Sequence, residues 1–415
     1  MDMTYREMIE RYKKGELNPE ETERLERAIE RQEAIGEYLV DREEKEAELF
    51  WKEEGETPKA GDGQKVMTDA IRRAIRRAFL KLGIFVGVAV FAVVMLLIFV
   101  VPKTVDLFFY DPGKQLGEFQ NQMQTDLAVY SELALPGQIR DNVLVRDRGY
   151  GCYDIRVTQS YSLTGRIYDV IGRVERGALT LYDPNILTRP TGNVFGWFQA
   201  EGTGSESLRE LYAKEDNMLH GIAGGPQSSR EALEGLDDDT LYLAYVTLDE
   251  MLPYEEFVKY LSSLDEDGLY AWCAVKTSDG YQLYEAGESR RFYPENLGFF
   301  WGVPSGIVKD GWNWDKERYP ELFPSWNEDT EENLASEEFM SRHFTSLLRY
   351  TADQKDFLSM MEDAPDAETL DLAADYVEEN GLMVYGFAVA AKKELLLTIL
   401  EDPQVYEIYC TEDHK

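Results

Sequence analysis

Twenty consecutive residues, Leu82 to Val101 (LGIFVGVAVFAVVMLLIFVV), carry no charge and no strongly polar side chain. At about 1.5 Å per helical residue, the run matches the roughly 30 Å hydrocarbon layer of a bilayer. A buried helix of a water-soluble protein is usually shorter and keeps a polar edge, so the run is expected to span a membrane once. With 81 residues ahead of it, it lies too far into the chain to be a cleaved secretory leader.

The flanking charges set an orientation. Arg72, Arg73, Arg76, Arg77 and Lys81 precede the run, whereas Lys103, Asp106 and Asp111 follow it. Basic residues favour the cytoplasmic side, which places the N-terminus in the cytoplasm and residues 102–415 outside the cell membrane. Residues 1–81 hold 17 basic and 21 acidic side chains, so −32 of the total net charge of −36 falls beyond them. Such acidity argues against direct binding of nucleic acid, which needs a basic footprint. Apolar residues at 44% and aromatics at 12% exclude a wholly disordered chain.

Thr68 to Lys81 reads as an amphipathic helix entering the span, with Ala70, Ile71, Ala74, Ile75, Ala78 and Phe79 on one side and arginines between them. It serves as a charged juxtamembrane anchor or, alternatively, as a lipid-specific site.

The N-terminal segment has helix grammar of its own. Thr4 and Glu7 form a capping box, Gly15 supplies a stop, and Tyr5, Met8, Ile9 and Tyr12 make an apolar stripe. A second helix starts at Asn18 and Pro19, with Leu25, Ala28, Ile29, Gln32, Gly36 and Leu39 along one face. Between Glu20 and Glu54 stand 14 acidic and six basic residues, so this helix pairs a narrow apolar seam with an acidic surface. So short a hairpin buries little area, and its seam either closes the hairpin as a solvated stalk or takes a partner, a second copy included.

Residues 8–39, MIERYKKGELNPEETERLERAIERQEAIGEYL, resemble the cytoplasmic domain of membrane-bound anti-sigma factors, in which a short helix, a GEL turn and a longer helix wrap a sigma factor. Zinc-bearing members carry HxxxCxxC on the second helix. Here Ala28, Gln32 and Ile35 fall at those positions, so the resemblance implies a zinc-free version with no metal and no cofactor. The layout of residues 65–410 is similar to the sigma-factor regulator family of Bacillus-like bacteria. The resemblance implies an extracytoplasmic-function sigma factor as cytoplasmic partner and an accessory membrane protein beside it. Tyr5, Met8, Ile9, Tyr12, Leu17, Leu25 and Ile29 are the expected anchors, and Glu20, Glu23, Glu26 and Glu30 the expected steering charges.

Beyond the span, Gly117 to Leu135 is expected to be helical, with Met123, Leu127, Tyr130 and Ala134 on one face and Pro136-Gly137 as its stop. Alternation at Tyr153, Ile155 and Val157, then Ile167–Val174 and Ala178–Tyr182, points to a small sheet over about 138–200. The stretch 201–230, rich in Gly and Ser, reads as an exposed connector. From Leu241 two β-α-β units follow, with strands at 241–248, 270–276, 384–390 and 405–409, and helices at 334–349, 353–361 and 366–379 between the units. This pattern fits an α+β domain of ferredoxin-like topology with insertions. The aromatic-rich insertion 281–326 either lines a ligand or partner cleft or supplies satellite core.

No catalytic constellation emerges, and no enzyme is expected. His220, His343 and His414 fall on a connector, a helix and the tail, while Cys152, Cys273 and Cys410 lie in or near strands as small apolar residues rather than nucleophiles. Gly224-Gly225 and Gly302-Gly306 make no phosphate loop. The expected organisation is a sigma-binding module (1–65), a basic helix (66–81), the span (82–101), a connector with a β-rich domain (102–230) and an α+β regulator domain (231–415). The expected function is that of an anti-sigma factor with an external sensing or scaffolding region. The alternative is a type II envelope-binding or assembly protein whose cytoplasmic helices dimerise or dock another partner.

Overall fold

The computed structural model describes residues 63–161, 167–182, 194–197, 207–214, 222–264, 271–282, 290–291, 295–301, 312–324, 329–361 and 364–410. The chain falls into two units, Met1–Val93 and Val94–Lys415. Helix α1 (Gly63–Phe99) runs without interruption through the juxtamembrane and apolar segments. Its large apolar side chains are bare, Phe85 at 71% and Phe91 at 64% exposure. A helix that hides none of its greasy surface in protein is dressed for lipid. Pro102, lacking an amide hydrogen, sits at the first turn of α2 (Val101–Asp106), which extends the helical path to Asp106.

In the second unit, α3 (Gln122–Ala134) starts where Asn121 accepts a hydrogen bond from the Gln124 amide at 2.9 Å. It is shorter than its sequence stripe, because Gln115 and Asn121 form an antiparallel bridge ahead of it. It is also buried nearly all round rather than on one face, packing against the strands Gln138–Gly149 and Gly298–Trp301 and the helix Glu337–Asp353. Strands β1 (Gln138–Gly149), β2 (Cys152–Tyr161), β3 (Ile167–Glu175) and β4 (Ala178–Leu181) form an antiparallel meander in chain order. Arg176 and Gly177 both take positive φ in the two-residue turn joining β3 to β4, the geometry that suits a tight hairpin. The expected sheet, from about residue 138, includes β1, but the sequence names no strand there, since its alternation is carried by polar residues and broken by a bulge between Ile139 and Asn142.

The segment 201–230, expected to be an exposed connector, instead contains α4 (Leu208–Lys214) and α5 (Pro226–Glu234). Each buries two residues, Leu208 with Tyr212 and Ser229 with Leu233. Stripes that short leave little trace in hydropathy. The five-stranded sheet follows, from β5 (Leu241–Pro253), β6 (Ala271–Val275), β9 (Gly298–Trp301), β10 (Met383–Lys392) and β11 (Val405–Cys410), in the order β11-β5-β10-β6-β9 and antiparallel throughout. A two-stranded ribbon, β7 (Tyr281–Gln282) with β8 (Arg290–Arg291), lies between β6 and β9 in the chain. Without β9, the order is that of the ferredoxin-like split β-α-β fold, closed by α6 (Tyr254–Leu264) and α11 (Lys393–Glu401). Between β9 and β10 in the chain stand α7 (Thr330–Ala335), α8 (Glu337–Asp353), α9 (Lys355–Leu358) and α10 (Ala367–Asn380).

Both faces of this sheet are covered. Val246, Leu248, Cys273, Phe387 and Val389 join the main core beneath the helices. Tyr245, Trp272, Phe300, Tyr385 and Tyr406 form a second, aromatic layer with Phe195, Trp197, Leu208 and Tyr212. Within the aromatic insertion, the described residues act as satellite core: Trp312 and Trp314 meet the edge of Phe323 at 5.0 and 5.4 Å, and Tyr319 meets Tyr350 at 5.3 Å.

Candidate functional site

Tyr5, Met8, Ile9, Tyr12, Leu17, Glu20, Glu23, Leu25, Glu26, Ile29 and Glu30 lie outside the described residues. Among those described, the polar chemistry gathers where the helical path from α1 and α2 enters the folded region. Here the β1–β2 turn abuts the helix end. Tyr150 donates from its hydroxyl to the Leu97 carbonyl at 2.8 Å, and the Gly151 amide donates to the Asp106 carboxylate at 2.5 Å. Gly149 and Gly151 both have positive φ, and a Cβ on Gly151 would lie 2.9 Å from the Phe109 ring, so the turn needs glycine to approach this closely.

Beyond Asp106 in the chain, α3 carries a pair of buried acids, Asp126 and Glu132. Asp126 accepts from the hydroxyls of Tyr110 at 2.6 Å and Tyr350 at 2.7 Å, and from the Gln122 side-chain amide at 2.8 Å. Gln122 also reaches Gln354 at 3.3 Å. Three neutral donors satisfy the carboxylate without balancing its charge. Burial therefore outweighs them and raises its pKa to about 6, while the phenols of Tyr110 and Tyr350 are pushed far up by burial and by the neighbouring carboxylate.

One and a half turns on, Glu132 faces His343 of α8 at 3.0 Å from Oε1 to Nε2. The other ring nitrogen, Nδ1, lies 2.7 Å from the Glu321 carbonyl. A carbonyl only accepts, so Nδ1 carries hydrogen and Nε2 is committed to Glu132. Burial works against the imidazolium, but the Glu132 carboxylate and the Glu321 carbonyl outweigh it and raise the His343 pKa. The backbone oxygen of Glu132 is held in turn by Trp272 Nε1 at 2.7 Å. The sequence placed His343 correctly on a helix, yet nothing in it announced a partner 211 positions away.

A third buried acid fastens the aromatic layer. Glu407 on β11 accepts from the amides of Ile222, Ala223 and Gly225 at 2.7, 3.1 and 2.9 Å. Burial raises its pKa, and the three amide donors oppose that. Gly196, which leaves no room for a Cβ beside Glu407, donates its amide to Thr247 at 2.9 Å.

Among the described residues, no cluster of three or more His, Cys, Asp or Glu is placed to hold a metal. Burial pushes the Cys273 thiol up and that of Cys410 to about 12, so neither is a thiolate near neutral pH. The arrangement is a set of locks: a helix end tied to a sheet turn, and the next helix tied through acids to α8.

Comparison with known proteins bears on the C-terminal part of the chain. Residues 233–409 match the family model described as sigma factor regulator C-terminal, which takes in the five-stranded sheet and α8 with His343 and Tyr350. No curated protein and no solved structure matches the chain. The helix from Arg72 to Asp106 is long and apolar enough to cross a membrane. Residues 233–409 are thus similar to the sigma factor regulator C-terminal family, and this match supports a role in sigma-factor regulation.

Proposed function

We propose that the protein is a membrane-tethered anti-sigma factor of the zinc-free type. Residues 1–65 hold an extracytoplasmic-function sigma factor at the inner membrane surface and keep it from core RNA polymerase. The regulator domain at 233–409, joined to a membrane-crossing helix, carries this reading. Basic residues at Arg72, Arg73, Arg76, Arg77 and Lys81 support a cytoplasmic N-terminus, with residues 102–415 outside as a sensing or scaffolding region. An acidic helix with an apolar seam suits the task, because a sigma factor exposes basic, apolar-lined surfaces to polymerase and promoter. Tyr5, Met8, Ile9, Tyr12, Leu17, Leu25 and Ile29 are the proposed anchors, and Glu20, Glu23, Glu26 and Glu30 steer the encounter. An accessory membrane protein and a homodimer are compatible with this arrangement.

The test uses the full-length protein in nanodiscs against each purified sigma factor of its host. Saturable one-to-one binding of at least one is expected, with loss of binding when Tyr5, Ile9 and Tyr12 are changed together to Asp. Self-association of the cytoplasmic segment with no sigma factor bound would favour the envelope-assembly alternative.

A further inference from the structure

We propose that the α3–α8 contact is a proton-responsive joint, tighter in acid, that couples the membrane-crossing helix to the regulator domain. The proposal deepens the function above and rests on that reading for its biological direction, with the joint exposed to the outside. The physical basis is independent of orientation.

The two acids of α3 reach the same partner helix. Asp126 meets Tyr350, and Glu132 meets His343. The Glu132–His343 contact holds one shared proton by construction. With Nδ1 donating to the Glu321 carbonyl, Nε2 and Oε1 at 3.0 Å attract only if a hydrogen lies between them, as imidazolium with carboxylate or imidazole with carboxylic acid. Removing it sets a lone pair against a carboxylate inside a dry core.

The groups facing each lock are few. Asp126 sees Tyr110 and Lys114 from the segment after α2, Gln122 from its own helix, and Tyr350 from α8. His343 sees Glu132 from α3, Glu321 from the segment before α7 and the Phe299 ring of β9. Among the described residues facing Asp126, Lys114 lowers its pKa less than burial raises it.

Both locks have the same sign. The Asp126 pKa is higher in the closed joint than the ordinary 3.8, so its ionisation costs stability as pH rises from the open-state to the closed-state value. The His343 pKa is also raised, so its contribution is complete below the ordinary value of 6.5 and is lost as pH climbs through the closed-state value. Alkali loosens the joint through each group separately.

Hydrogen exchange of residues 122–134 and 337–353, measured on the full-length protein in nanodiscs and corrected for intrinsic rates, reads the opening constant directly. With 3.8 in the open state and about 6 in the closed state, Asp126 alone raises opening about tenfold from about pH 5 to about pH 8. Asp126→Asn, nearly isosteric, is expected to remove this Asp126 share of the slope and to leave the share of His343. Tyr350→Phe, which takes one donor from the carboxylate, is expected to shift its midpoint upward. Opening that is flat or falls with pH, or a slope unchanged in Asp126→Asn, would overturn the joint. No sigma factor enters this experiment, so loss of the joint and loss of sigma-factor binding are separate results.

Discussion

The two principal sheets solve burial in opposite ways. The four-stranded meander hides one face, where Val143, Ile155, Val157, Val170 and Val174 meet the core, and leaves the other to solvent, with Leu144 at 63% and Ile171 at 49% exposure. On that open face Arg148 and Arg173 share Asp154, and Arg156 pairs with Asp169, lowering both carboxylate pKa values. The five-stranded sheet hides both faces, helices on one and an aromatic strap on the other. A sheet wet on one side tolerates change at every second residue, whereas a sheet dry on both sides tolerates it almost nowhere.

Substitutions break or sharpen that contrast. The largest effect is expected from Gly298→Val on β9, where a Cβ would fall 1.9 Å from the Cys273 carbonyl oxygen. Loss of at least about 3 kcal/mol, or failure to fold, should appear in thermal denaturation. Trp197→Ala leaves a cavity in the aromatic layer and removes the indole's hydrogen bond to the Tyr385 carbonyl at 3.1 Å, which should cost about 3–5 kcal/mol in a denaturant titration. Ile155→Ala on the inner face of the meander should cost about 2–5 kcal/mol, while Leu144→Ala on its outer face should stay within about 0.5 kcal/mol. Equal costs for these two would mean that the outer face is covered in the intact protein. Smallest of all, Arg156→Gln should leave the melting temperature unchanged at high salt, because the pair it breaks is exposed and screened.

The same contrast explains what could be read in advance. The membrane-crossing run announces itself by length, and the two β-α-β units by apolar strands separated by helical stripes, so the split β-α-β order was within reach. Strand β1 was not, because QIRDNVLVRDRG holds its place through pairing with β2 rather than through hydropathy. Helix α4 escaped notice because the sheet face that Leu208 and Tyr212 complete exists only once β5, β10 and β11 are assembled, and α5 because it offers the main core a single buried apolar residue, Leu233. At the joint, the stripe Met123, Leu127, Tyr130 and Ala134 marked α3 as a helix. The roles of Asp126 and Glu132 were invisible, because a buried acid and an exposed one are the same letter until the opposing Tyr350 and His343 are known. The proposed sigma-factor anchors from Tyr5 to Glu30 rest on sequence periodicity and family resemblance.

The most direct measurement is transcription in vitro from a promoter of the bound sigma factor, with the full-length protein in nanodiscs titrated against sigma factor before core polymerase is added. The expected result is inhibition complete near one equivalent and relieved by changing Tyr5, Ile9 and Tyr12 to Asp. Transcription undiminished at several equivalents, with every sigma factor of the host, would contradict it.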